Sequence, residues 1–188
     1  MASKTSSPPT EQPIARMRLW VERFVVSLNV CPFARREVKN GSIRYILSTA
    51  TDDNSIYDVV THELQLLADQ PQVETTLILL PGLDDDFEAF LNTAGFAEQI
   101  IQLQGLSGEF QLAHFHPEYL FSGADANDPA NFTNRAPHAA LHLLREESVE
   151  RAVRAYKNAE DIPQQNIEKL RELGLSDMQK RFNALFKS

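Results

Sequence analysis

Met17, Val21, Phe24 and Leu28 recur at steps of four, three and four, and Trp20 and Val25 widen the same stripe. That spacing predicts an amphipathic helix over 14–29. It should stop near Asn29, because Pro32 disfavours helical geometry at the residue before it and leaves Cys31 in a turn just beyond the helix. Ser42 to Ser48 reads as a short β-rich run. Ile56, Val59, Val60, Leu64 and Leu67 then mark a second helix over 55–68. The unbroken apolar run from Thr75 to Leu80 predicts a strand at the centre of a sheet. Asp84, Asp85 and Asp86 supply helix-start charge ahead of a third helix with Phe87, Phe90, Leu91, Ala94 and Ile101 on one face. Glu109 to His116 reads as a third strand and Ala139 to Arg145 as a fourth strand or a helix start. Val149, Ala152, Val153 and Tyr156 continue as helix. Two further helical patterns follow, Ile167/Leu170/Leu173 and Leu175/Met178/Phe182/Leu185, with Gly174 as the break.

This order gives an α+β domain with a small mixed sheet of about four strands packed with helices, and a ferredoxin-like sandwich is the expected arrangement. The polar, proline-rich residues 1–13 read as a disordered tail and 14–188 as a single globular domain, with 160–188 a C-terminal helical extension. No internal repeats are visible. A hydrophobic content of 43% over 188 residues is enough for a full core. A net charge of −8 and a pI near 5.1 argue against nonspecific nucleic-acid binding, which depends on Lys and Arg neutralising phosphates. No apolar run has the length of a membrane span, and Cys31 is the only cysteine, so no intramolecular disulfide can form. The expected setting is a reducing cytoplasm.

The chemistry concentrates in one stretch. Four of the five histidines lie between His114 and His142, on either side of a long polar loop that also holds Arg135, Asn131, Asn134 and several carboxylates. Loops of about twenty residues without secondary structure of their own are uncommon in compact domains and are usually functional or disordered. Tyr119, Phe121 and Phe132 argue against disorder. His114 and His116 share a face if they are in a strand, and His138 and His142 share one in either a strand or a helix. Such pairs resemble metal-ligand spacing; equally, the rings could hydrogen-bond loop carbonyls and hold the loop in place. HExxH is absent, and His62 reads as a surface residue. Cys31 is the only thiol nucleophile, and Arg35 and Arg36 follow it closely enough for a positive field to favour thiolate. As a structural residue it would be a small buried hydrophobe. Arg35, Arg36, Arg135 and Arg145 could form a fork for a carboxylate or phosphate.

The segments LNVCPFARRE (28–37), GEFQLAHFHPEYLFSGAD (108–125) and DPANFTNRAPHAALHLLREESVERAV (128–153) together resemble a bacterial family catalogued as domain of unknown function 1415, over about Arg16 to Tyr156. The resemblance implies positions and no activity. Cys31, His116, Arg135, His142 and Arg145 occupy matching positions, whereas His114 and His138 stand where the pattern is looser and Ala139 where it tends to show proline. This weakens a four-histidine metal site and leaves Cys31, His116 and His142 as the better constellation.

Three readings follow. The first is an enzyme or small-molecule binder with Cys31 as nucleophile, His116 or His142 as general base, and Arg35, Arg36, Asn134, Arg135 and Arg145 holding a small anionic molecule. The second is a metal-binding protein using Cys31, His116 and His142 for zinc or copper. The third is a non-catalytic interaction domain whose last two helices form a partner surface, the stripe Leu175, Met178, Phe182 and Leu185 packing either on the core or on a second subunit as a homo-oligomer contact.

Overall fold

A computed structural model describes residues 11–187. Helix α1 (Gln12–Trp20) starts with Pro13 in its first turn, where a missing N–H costs nothing. It continues into a π-helical stretch, Val21–Val26, which buries Val21, Phe24 and Val25. The chain leaves helical geometry at Asn29, whose φ of 52° makes the left-handed stop. Residues 1–10 of the expected tail lie outside the described residues, and its end from Gln12 onward is already helix.

Helix α2 (Ala34–Asn40) follows the Cys31 turn, then β1 (Ile43–Leu47), α3 (Asp53–Asp69), β2 (Thr75–Leu79), α4 (Phe87–Leu103), β3 (Phe110–Phe115), the long loop, β4 (Ala140–Arg145), α5 (Glu146–Ala155), α6 (Ile162–Leu173) and α7 (Leu175–Ala184). Helix α3 is capped by the Asp52 carboxylate, which accepts from the Asn54 and Ser55 N–H groups, and α4 by Asp86, which accepts from Ala89 N–H. Ala139–Arg145, open between strand and helix in the sequence, pairs as strand from Ala140.

The four strands form one mixed sheet in the order β1-β2-β4-β3. β1 and β2 are parallel, joined by the α3 crossover, and β4 lies antiparallel to both β2 and β3. The α+β class holds, but a ferredoxin-like order does not. A helical crossover returns β2 alongside β1 in the same direction, and β4 then inserts between β2 and β3. β2 is buried along its whole length, which explains its unbroken apolar run.

The sheet carries a different apolar layer on each face. On one, Ile78, Leu141 and Leu143 pack with Ile56 and Leu64 of α3 and Phe90 and Ile100 of α4. On the other, Leu77, Leu79 and Ala140 pack with Trp20 and Phe24 and with Leu170, Met178 and Leu185 of the C-terminal helices. Of the two places open to the C-terminal stripe, the core or a second subunit, the buried Met178 and Leu185 take the core, together with Leu170. α6 is also tied to the end of the first helical run and to the long loop. Asn166 Nδ2 donates to Val30 O at 2.7 Å, Lys169 Nζ donates to Leu28 O at 2.5 Å, and Arg171 pairs with Asp128 at 2.6 Å. The Lys169 ammonium therefore sits on the carbonyl end of the first helical run, where cations are favoured.

Gly174 joins α6 to α7 at φ 81° and ψ 159°, a conformation essentially restricted to glycine. A Cβ there would meet no atom within 4 Å, so only the backbone objects. Gly174→Ala is expected to lower the unfolding free energy by about 1–2 kcal/mol in urea titration; an unchanged midpoint would show that the junction relaxes freely. Among the described residues, no helix is long and apolar enough to cross a membrane.

Candidate functional site

Between the α1/α6 face of the sheet and the helices covering it lies a cavity of about 660 Å³. This volume lies within the range of small-molecule sites. Its floor is the sheet, with Leu77, Ala113, Phe115 and His142. Trp20 and Val25 form one side, Cys31 and Ala34 another, and α5 and α6 contribute Val149, Ala152, Ile162 and Ile167. The walls are mainly hydrocarbon because the sheet alternates: Leu141 and Leu143 point to the α3/α4 layer, which turns His142 toward the cavity.

His142 is the polar centre of that floor. Its Nε2 lies 2.7 Å from Thr75 Oγ1, and Thr75 Oγ1 lies 2.5 Å from Leu143 O. A hydroxyl has one proton, and two oxygens at 2.5 Å must share it, so the Thr75 hydroxyl donates to Leu143 O. Nε2–H of His142 then donates to Thr75 Oγ1, and Nδ1 is left with a lone pair and no protein partner among the described residues. Burial in hydrocarbon pushes the imidazole down from 6.5 to about 4, so the ring is neutral near pH 7. Thr75 and His142 are diagonal neighbours on one face, since Thr75 is opposite Leu144 and Leu77 opposite His142.

Cys31 is in the same wall. Burial pushes its thiol up, outweighing the Ala34 and Phe33 backbone N–H groups that pull it down. The positive field expected from the two arginines after it is not delivered: Arg35 Nη2 donates to Val26 O, and the exposed Arg36 pairs with Glu37 at 3.6 Å. Cys31 is therefore a protonated thiol.

The remaining candidates are separated from this centre or engaged elsewhere. His116 lies on the opposite face, stacked on Phe90. Its Nε2 donates to Leu83 O at 2.9 Å and its Nδ1 accepts from Glu118 N–H at 3.1 Å, so the ring staples the loop and has no nitrogen left for chemistry. Arg135 donates to Tyr119 O and Ala126 O, and Asn131 spans Asp125 O and Phe121 N–H. Asn134 borders the cavity but donates to His114 O. Arg145 also borders it, with its guanidinium held by the carbonyls of Leu67, Gln70 and Val73. His138 binds Asp84 at 2.7 Å, His114 stacks on Tyr119, and His62 is exposed. The arginines thus form no fork.

Cys31, His116 and His142 do not make a metal set either, because the sheet stands between His116 and the other two. Among the described residues, no group of three or more His, Cys, Asp or Glu could hold a metal ion. Thr75 was hidden inside an apolar run, and its hydroxyl gains meaning only from the strand paired with it. The wall supplied by α5 and α6 has no sequence signal beyond ordinary amphipathic spacing.

A family described as protein of unknown function (DUF1415) matches residues 12–180. The chain belongs to this family. The DUF1415 match extends past the Arg16–Tyr156 likeness at both ends and takes in α6, so every element around the cavity lies within the family's span. No curated protein and no solved structure matches the chain.

Proposed function

We propose that this DUF1415 chain binds a small organic molecule in the cavity between its sheet and its C-terminal helices, with His142 as the polar anchor. One observation carries the reading: a mainly hydrocarbon hollow of about 660 Å³ whose floor presents a single unengaged imidazole nitrogen. Apolar lining with a few fixed polar groups is the usual make-up of such sites. Cys31 and His142 share the wall, but no hydrogen bond joins Sγ to the ring and the thiol is protonated, so binding is better supported than nucleophilic catalysis.

Trp20 is the only tryptophan and borders the cavity, which makes it a native reporter. Added N-phenyl-1-naphthylamine is expected to saturate with one equivalent bound and to quench Trp20 by energy transfer. Ala113→Phe from the floor and Ala152→Phe from α5 should each abolish that signal while circular dichroism stays native. Absence of saturable binding by the wild-type chain, or undiminished binding by both folded variants, would remove the proposal.

A further inference from the structure

The cavity reading leaves open what kind of molecule fits, and the charges around the hollow narrow the choice. Three carboxylates border it, Glu37, Glu74 and Asp128, and each has an ion-pair partner, Arg36 at 3.6 Å, Arg151 at 3.7 Å and Arg171 at 2.6 Å respectively. Glu37 also accepts from Ser42 Oγ at 2.6 Å. The two cations on its border are already occupied, Arg145 by three backbone carbonyls and Arg171 by the Asp128 carboxylate through two hydrogen bonds at 3.1 and 2.6 Å. An anionic ligand would thus meet carboxylates and cations whose partners are already in place, with no cation among the described residues of the border left unengaged. A charge buried without a partner is costly, so this hollow selects against it. The contact that His142 provides has one sense, and Trp20, also on the border, holds a buried Nε1–H donor with no partner among the described residues. Thr75 fixes the His142 tautomer, so Nδ1 can only accept.

Resting on the cavity reading above, we infer that the ligand is an uncharged, mainly hydrocarbon molecule bearing a hydroxyl that donates to Nδ1 of His142. The discrimination is between molecules of equal length that differ at one end. An alcohol supplies the proton Nδ1 requires; an ether of the same size leaves the nitrogen unpaired; a carboxylate brings charge and no proton. Sites built around a hydrogen bond discriminate against analogues that lack it, because the buried polar group is then left unsatisfied.

The test is isothermal titration calorimetry of the full chain at pH 7.5 with decan-1-ol, 1-methoxydecane and decanoate. Decan-1-ol is expected to bind about five- to tenfold more tightly than either of the other two. His142→Leu should bring the alcohol down to the ether's affinity and leave the ether's own affinity within about twofold. Thr75→Val retains the imidazole but frees its tautomer, and should shrink the alcohol's advantage without removing the cavity. Equal binding of alcohol and ether, or tightest binding by decanoate, overturns the inference while the cavity reading stands. An alcohol advantage that survives both variants overturns the assignment to His142. If none of the three binds while N-phenyl-1-naphthylamine does, the ligand class is wrong; if the dye also fails, the cavity reading fails with it.

Discussion

Arg44→Leu is expected to destabilise the fold by about 3 kcal/mol, read as a lowered urea midpoint with unchanged slope. Glu63 of α3 is 1% exposed, and Arg44 of β1 holds it bidentately, Nε to Oε2 at 2.7 Å and Nη2 to Oε1 at 3.0 Å. The hydrogen bond to Glu63 is also the main cause of the upward shift of the Arg44 guanidinium. Removing the arginine leaves the buried carboxylate with the exposed His62 ring 4.0 Å away, and breaking a buried pair from one side costs roughly 3–5 kcal/mol. The lower end applies because the Arg44 side chain is 35% exposed and water screens part of the interaction. The double variant Arg44→Leu/Glu63→Leu should recover most of the loss, since two apolar residues leave no unpaired charge. A single variant within about 1 kcal/mol of wild type would show that the pair does not hold α3 to the sheet.

The second large effect is a dependence of stability on pH set by His142. Its pKa is about 4 in the folded chain, against 6.5 for the ordinary imidazole. Between those values the unfolded chain binds the extra proton and the folded chain does not, so stability rises with pH across the interval. The contribution is complete above pH 6.5 and is lost progressively as pH falls toward 4, amounting to roughly 3 kcal/mol at most. His114, also lowered by burial, adds in the same sense. Asp52 and Asp128 are lowered from 3.8 by their hydrogen bonds, first to Ser55 and to Arg171 respectively, and act below the window. Subtracting the pH profile of His142→Leu from that of the wild type isolates the imidazole. A difference curve that is flat between pH 4 and 6.5 would mean that His142 is hydrated or charged in the folded state.

Much of the architecture was readable because apolar periodicity and tertiary burial coincide. The Thr75–Leu79 run is a central strand, and the end of the first helical run falls at Asn29, in a left-handed conformation. α2 was missed because ARREVKN is short and turns only the half-buried Ala34 and Val38 inward, too few positions to make a stripe. The strand order was not readable, because periodicity reports which face is apolar and not which strand lies alongside. The same limit divided the histidines. Alternation placed His142 opposite its Leu neighbours, but it could not show that His116 faces α4 while Cys31 lies across the sheet. The arginines misled for another reason. Their spacing is compatible with anion binding, and only three-dimensional structure shows that Arg135 and Arg145 spend their guanidinium protons on backbone carbonyls.

The clamp of Asn166 and Lys169 on the carbonyls of Val30 and Leu28 can close only after α6 has been synthesised. Leu77 and Phe115 leave the exit tunnel long before Leu170 and Met178, so a nascent chain leaves that face of the sheet incompletely covered until α6 and α7 arrive. Translation stalled before α6 would therefore hand chaperones a half-roofed intermediate.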